Sequence, residues 1–277
     1  MNNAFLTLFL PVLLGLVVGS FLNVVIHRLP RMMQAQWDAE VSRMSNQPVP
    51  ANPPTYNLAW PGSHCPKCQH DLRWYDNIPV LSYLLLKGRC RYCNSRIGWR
   101  YLGVECLTGF LFTWAFMHHG FGVEALVWCG FSAALIALAA IDADTTFLPD
   151  AITQPLLWSG LLMSSLGCTG ISLSMSLWGA CAGYLLLWLV LHLFKWITGK
   201  VGMGEGDLKL LAALGAWLGW PALLSLVLIS SITGALVGIW LKSRKQLSPE
   251  GYLPFGPFLV FAGFWGMVFG PLPSFQI

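Results

Sequence analysis

At 277 residues the chain is long enough for one or two domains, but 56% of it is hydrophobic and only 10% charged. Soluble proteins carry about 25% charged residues, so the composition excludes an ordinary soluble enzyme and points to an integral membrane protein. The net charge of +4 says less than its placement: ten of sixteen Lys and Arg lie between Arg28 and Arg100, beside only four acids, Asp38, Glu40, Asp71 and Asp76. This polar block reads as a cytoplasmic domain by the positive-inside tendency.

In chain order, residues 5–26 form an apolar run of 22, enough to cross a bilayer at about 1.5 Å per residue. No basic residue precedes it and no small-residue cleavage pattern follows, which argues against a cleaved signal peptide. Gly15 and Gly19 make a G-x-x-x-G that suits close helix packing, although chance glycines read the same way. Residues 47–61, with Pro48, Pro50, Pro53, Pro54 and Pro61, read as an extended linker.

Cys65-Pro-Lys-Cys68 and Cys90-Arg-Tyr-Cys93 follow, with 21 residues between the pairs. Two C-x-x-C turns near this separation are the pattern of tetrahedral zinc, each turn supplying two soft thiolates. Two disulfides or four free thiols are the alternatives, and a cytoplasmic location disfavours the disulfides. Four thiolates fill the metal's coordination, so zinc here is expected to hold the loop together rather than to activate water. His64 and His70 read as bystanders.

Further spans are expected at residues 101–117, 125–141, 152–168, 171–194, 208–220, 221–241 and 253–272, giving eight with the first. His118 and His119 read as a solvated pair closing the second. Cys106, Cys129, Cys168 and Cys181 read as packing residues. The count puts both termini outside and every Lys and Arg on or beside the cytoplasmic side. The span at 208–220 is too short for a full crossing unless it tilts, borrows from the Trp220-Pro221 corner or is re-entrant. The fold class is therefore an all-α polytopic membrane protein: about eight transmembrane helices and a small zinc-ribbon-like cytoplasmic domain. The expected domains are 1–26, 27–100 and 101–277.

Two acidic clusters lie at the edges of apolar runs. One holds Asp142, Asp144 and Asp150; the other is the glycine-rich stretch from Gly202 to Lys209, with Glu205 and Asp207. A carboxylate there is costly unless it has a partner or a watery cavity, so it marks a candidate site. The topology puts Asp142 and Asp207 at the same depth, where they can face one another. Carboxylates that share a site cannot both ionise easily, which lets one keep a proton while the other activates water. Asp142 and Asp144 are about 200° apart around a helix, so both cannot face one partner. Asp150 reads as an N-cap, Asp207 also fits one, and Glu205 reads as solvated. Gly202, Gly204 and Gly206 favour an irregular backbone. No nucleophile elbow or Ser/Lys pair competes.

These motifs together resemble the bacterial prepilin peptidase family, aspartic leader peptidases of type IV pilus and type II secretion systems. The resemblance rests on Gly19 through Pro30, the two Cys turns, Asn77 through Tyr83, Arg100-Tyr101 through Glu105, Ile141 through Asp150, Gly202 through Lys209, and Pro254 through Pro257. The element Gly204-Glu-Gly-Asp207 is also similar to that of presenilin-like intramembrane aspartic proteases. Zinc at Cys65, Cys68, Cys90 and Cys93 is the reading of their spacing; the resemblance implies that Asp142 and Asp207 are the catalytic pair. It implies pilin-like or pseudopilin precursors as substrates, cut at the cytoplasmic face of the bacterial inner membrane, with lipid as surroundings. It also implies methylation of the new N-terminus by S-adenosylmethionine in the N-terminal cytoplasmic region, where Gly88 and Arg89 fall. No adenosyl-binding fingerprint is visible, and the sequence fixes neither the acid and base roles nor the oligomeric state.

Two other readings fit parts of the sequence. An ion- or proton-coupled transporter also buries carboxylates, but these acids cluster near one face and no internal repeat is evident. A membrane-anchored zinc-ribbon binding module would use the basic-aromatic run Arg89, Arg91, Tyr92, Arg96, Trp99, Arg100 and Tyr101. Such a run at a membrane edge is more often a headgroup contact, so no nucleic-acid partner is expected.

Overall fold

The computed structural model describes residues 2–45, 56–200, 202–244 and 253–270. Among them there is no strand ladder, only two isolated bridges. The described residues form nine α-helices in order: α1 Asn2–Met44, α2 Leu81–Leu85, α3 Trp99–His119, α4 Val123–Thr145, α5 Asp150–Ser165, α6 Leu173–Thr198, α7 Glu205–Leu218, α8 Leu223–Ser243 and α9 Gly256–Phe269. Eight of these match the eight expected apolar runs, and the short α2 is new. Among the described residues, four stretches are long and apolar enough to cross a membrane: Leu8–Met44, Val123–Thr145, Leu173–Thr198 and Trp220–Ser243. The protein is an all-helical integral membrane protein.

The chain forms two compact units, Met1–Ala137 and Leu138–Ile277. In the first, α1 packs along α3. Small residues make this possible: a Cβ at Gly15 would meet Gly109 Cα at 2.7 Å, and one at Gly19 would meet Glu105 Cα at 2.8 Å. The G-x-x-x-G is therefore the contact surface itself. The helix does not stop where its apolar run does. It continues to Met44, well beyond bilayer length, and Arg28 ties it to the following loop by donating to the carbonyls of Asn57 at 3.0 Å and Gly62 at 3.3 Å. Most of the proline-rich linker falls outside the described residues.

The second unit is built around α7, whose Leu208, Leu210, Leu211, Leu214 and Ala216 are fully enclosed. At 14 residues α7 is about 21 Å long, short of a bilayer core. α5, α6, α8 and α9 surround it. Gly179 of α6 and Gly215 of α7 stand so close that a Cβ on either would overlap the other's carbonyl. The Trp217 indole N–H donates to Leu156 O of α5 at 2.7 Å. A 3-10 turn, Trp220–Ala222, then carries the chain into α8.

Gly15→Leu is expected to force α1 off α3 and lower stability by roughly 1–3 kcal/mol. Gly130→Ala, where an added Cβ meets nothing within 4 Å, is expected to leave it unchanged or to raise it by up to about 1 kcal/mol. Thermal unfolding in detergent checks both.

Candidate active site

Asp142 lies in the last turn of α4 and Asp207 in the first turn of α7, both within the second unit. Residue exposure is only 4% and 7%. Asp142 Oδ2 accepts the backbone N–H of Gly256, the first residue of α9, at 2.9 Å. Asp207 Oδ1 is buried with no hydrogen-bond partner among the described residues. The two carboxylates lie within electrostatic reach of each other. Each is also set against a helix N-terminus, whose free N–H groups and dipole favour negative charge.

The neighbouring acids separate from this pair. Asp144 is exposed, as the helical spacing requires, and so is Glu205. Asp150 is not a cap: α5 begins at Asp150 with Pro149 at the cap position, and no side-chain capping bond forms. Instead both Asp150 carboxylate oxygens accept from Lys209 Nζ at 2.7 Å, linking the starts of α5 and α7. A surface pair of this kind contributes about 0–1 kcal/mol. The sequence placed Lys209 by its charge and Asp150 by its position after proline; only the fold makes them partners. Asp207 is not a cap either, since Gly204 occupies that position.

The glycine-rich stretch works through close approach rather than unusual dihedrals. Gly202, Gly204 and Gly206 are absent from the positive-φ residues. A Cβ at Gly206 would meet Leu148 Cβ at 2.7 Å, and one at Gly202 would meet the Phe194 ring at 2.8 Å. Gly206 thus lets α7 start against the loop that follows Asp142. Gly256 matters equally: a Cβ there would stand 2.6 Å from Asp142 Oδ2. Its motif, Pro254 through Pro257, was visible in the sequence, but its contact with Asp142 was not.

In the first unit the Cys side chains form one cluster, with ligand atoms of Cys65, Cys68, Cys90 and Cys93 all within 4.8 Å of one another. Cys65 and Cys93 Sγ are 3.8 Å apart. A tetrahedral zinc with Zn–S bonds near 2.3 Å needs S···S edges of about 3.8 Å, so the donor set fits. The two turns repeat one geometry. Gln69 N–H reaches Cys65 O at 2.9 Å and Asn94 N–H reaches Cys90 O at 3.0 Å, with φ of 57° and 55° at Gln69 and Asn94. Burial works against charge on the Cys65 thiol, but the Cys68 and Lys67 N–H groups and the Ser95 hydroxyl outweigh it and bring its pKa to about 6. A thiol so poised gives up its proton readily to a metal.

His64 and His70 take no part: His70 lies on the Tyr92 ring at 3.6 Å and His64 Nδ1 faces Gly62 O at 3.1 Å. His118 stacks on Trp114 at 5.0 Å, and His119 lies 3.7 Å from Glu124. Arg91 of the basic-aromatic run is committed internally, held by Asp76 at 2.8 Å. Gly88, with φ +64, is covered by the Tyr83 ring tip, 2.9 Å from any added Cβ, while Arg89 is exposed.

Comparison with known proteins places the chain in a family. Residues 13–119 match the bacterial peptidase A24 N-terminal domain, and residues 129–239 match the type IV leader peptidase family. The chain belongs to the type IV leader peptidase family. It is 51% identical to a Burkholderia pseudomallei protein over 94% of this chain and 84% of that one. It is 46% identical to a Pseudomonas aeruginosa protein over 94% and 89% of the two chains. An Aeromonas salmonicida protein is 47% identical over 93% and 89%. All three are named prepilin leader peptidase/N-methyltransferase. No solved structure matches the chain.

Gly256→Ala drives a methyl group into the Asp142 carboxylate, whereas a Cβ at Gly204 meets nothing nearer than 4.0 Å. Gly256→Ala is expected to melt at a lower temperature in detergent than Gly204→Ala; equal melting would contradict the contact.

Proposed function

We propose that this protein is a membrane aspartic endopeptidase that removes the basic leader from prepilin-like precursors and then methylates the new N-terminus. Family membership and the names of its relatives support both activities. The observation that carries the peptidase reading is the pair of buried carboxylates, Asp142 and Asp207, each set at a helix N-terminus of one bundle. One carboxylate takes a proton from a water molecule, which attacks the scissile carbonyl. The other donates a hydrogen bond to that carbonyl and then its proton to the departing amine. The Gly206–Leu148 approach and the Gly256 N–H keep the carboxylates in register.

The substrate follows from chemistry. A precursor with a polar leader and an apolar helix behind it presents its scissile bond at the membrane boundary, the level at which we place Asp142 and Asp207. We further propose eight transmembrane segments, α1 and α3 to α9, with both termini periplasmic, in the bacterial inner membrane. The proposed domains are 1–26, 27–100 and 101–277, the middle one a zinc-ribbon-like cytoplasmic domain. Cys65, Cys68, Cys90 and Cys93 would hold a structural zinc that fixes the two Cys turns. S-adenosylmethionine, when bound, supplies an electrophilic methyl group to the new amine. Type IV prepilins and type II pseudopilins are the proposed precursors, and no nucleic acid is involved.

Asp142→Asn and Asp207→Asn are each expected to slow leader removal by about 10²- to 10⁴-fold or more, with unchanged elution and melting. Mass spectrometry of a co-expressed precursor reads this directly; full cleavage by either variant would refute the assignment. Metal analysis is expected to find about one zinc per chain, lost in Cys65→Ser.

A further inference from the structure

The short helix α2, Leu81–Leu85, lies within the polar segment yet presents two unlike faces. Ser82, Tyr83 and the following Leu86 line a cavity of about 900 Å³ inside the first unit. Leu81, Leu84 and Leu85 take no part in that lining and are 50%, 61% and 73% exposed. Three leucines turned outward from one five-residue helix form an apolar patch, and such a patch marks a contact surface.

The height of the patch says what covers it. Glu105 Oε2, in the second turn of α3, accepts the Val80 N–H at 2.8 Å, so the start of α2 lies beside that turn. Glu105 also stands against α1, where a Cβ at Gly19 would meet its Cα at 2.8 Å. Gly19 precedes Ile26, the end of the apolar run, by seven residues, or roughly 10 Å along the helix axis. Val80 is therefore level with the apolar turns of α1 and α3. Trp99 fits the same level. Its ring lies 3.7 Å from a Cβ added at Gly103, one turn further into α3, and it is 79% exposed. Tryptophans so placed belong to the membrane interface.

Apolar surface alone does not admit a loop to a bilayer, because its backbone donors must also be met. Here Glu105 takes the Val80 N–H, Ile78 O takes that of Ser82 at 3.1 Å, Val80 O that of Leu84 at 3.0 Å and Tyr83 O that of Gly88 at 2.9 Å. Val80 itself stands at φ 61°, ψ −48°, a conformation β-branched residues avoid, and the Glu105 bond holds it there. Lys87 and Arg89 follow, both exposed, and such cations are drawn to anionic headgroups.

We propose that residues 78–89 form a wedge in the leaflet that borders the polar segment, with Leu81, Leu84 and Leu85 among lipid chains and Lys87 and Arg89 among lipid phosphates. The wedge carries the second Cys turn with it, because Gly88 O accepts the Ile97 N–H at 2.8 Å on the far side of that turn. The polar segment is thereby docked on the membrane as well as tethered to it. The wedge rests on the reading of α1 and α3 as membrane spans and needs neither the peptidase nor the methyltransferase activity.

The test uses the full-length protein in nanodiscs of phosphatidylethanolamine and phosphatidylglycerol, with a trace of phosphatidylcholine carrying a diazirine partway along one acyl chain. After irradiation, peptide mapping by mass spectrometry is expected to find label on residues 81–86 as well as on α1 and α3. The double variant Leu84→Glu, Leu85→Glu changes two exposed side chains and is expected to cut the label on residues 81–86 by at least about tenfold, with melting in detergent unchanged. Leu85→Ser, expected to lower the label less, serves if the double variant does not fold. Label on α1 and α3 with none on residues 81–86, as a second copy covering the patch would give, overturns the wedge and leaves the spans standing. Equal label in wild type and variants also overturns the wedge. A protein with no label on α3 overturns the spans together with it.

Discussion

Two carboxylates enclosed in an apolar helical bundle are the constraint around which the second unit is arranged. Removing a carboxylate from water is expensive, and the cost must be met by oriented dipoles, by hydrogen bonds or by a proton. Here each carboxylate sits at the start of a helix: Asp142 against the first N–H of α9, and Asp207 within the first turn of α7. The small residues follow from that need. Gly256 admits the Asp142 oxygen, and Gly206 admits Leu148. Gly179 and Gly215 bring α6 and α7 into backbone contact, so the helix that carries Asp207 is gripped along its length. Rigidity of this kind is what acid–base chemistry requires, since a small misplacement of a catalytic group is costly.

The first unit solves a different problem. Among its described residues the polar segment buries few apolar side chains, with only Cys65 and Cys90 in the core. The Cys cluster, the Arg91–Asp76 pair and the Arg28 bonds to loop carbonyls take the place of one. Crosslinks and buried ion pairs are the usual recourse of small domains that lack apolar area. The arrangement leaves a cavity between the loop and the membrane helices instead of a packed interior.

Much of this was legible in the sequence, for physical reasons. Apolar runs must be helical in a bilayer because backbone groups have no other partner there, so α3 to α9 fell close to their expected places. The Cys turns were legible because metal-ligand spacing is local. The separation of Asp142 from Asp144 followed from the helical repeat. Features made by tertiary contact were not legible. The polar extension of α1 to Met44 has no apolar run to announce it. Asp150 looked like a cap until Lys209 arrived from 59 residues away. The glycines of the 202–206 stretch suggested unusual dihedrals, yet they serve close packing. Asp76 was one acid among four in a basic block, and only the folded loop buries it.

The central claim is that Asp142 and Asp207 jointly hold one water and one scissile carbonyl. A leader peptide carrying a non-cleavable hydroxyethylene isostere at the scissile bond tests it most directly, because its hydroxyl occupies the place of the attacked carbon's oxygens. The account predicts binding at least about 100-fold tighter than the intact amide in the wild type, with that advantage gone when either Asp is replaced by Asn. An isostere bound no better than the amide, or equally well by the Asn variants, would contradict it.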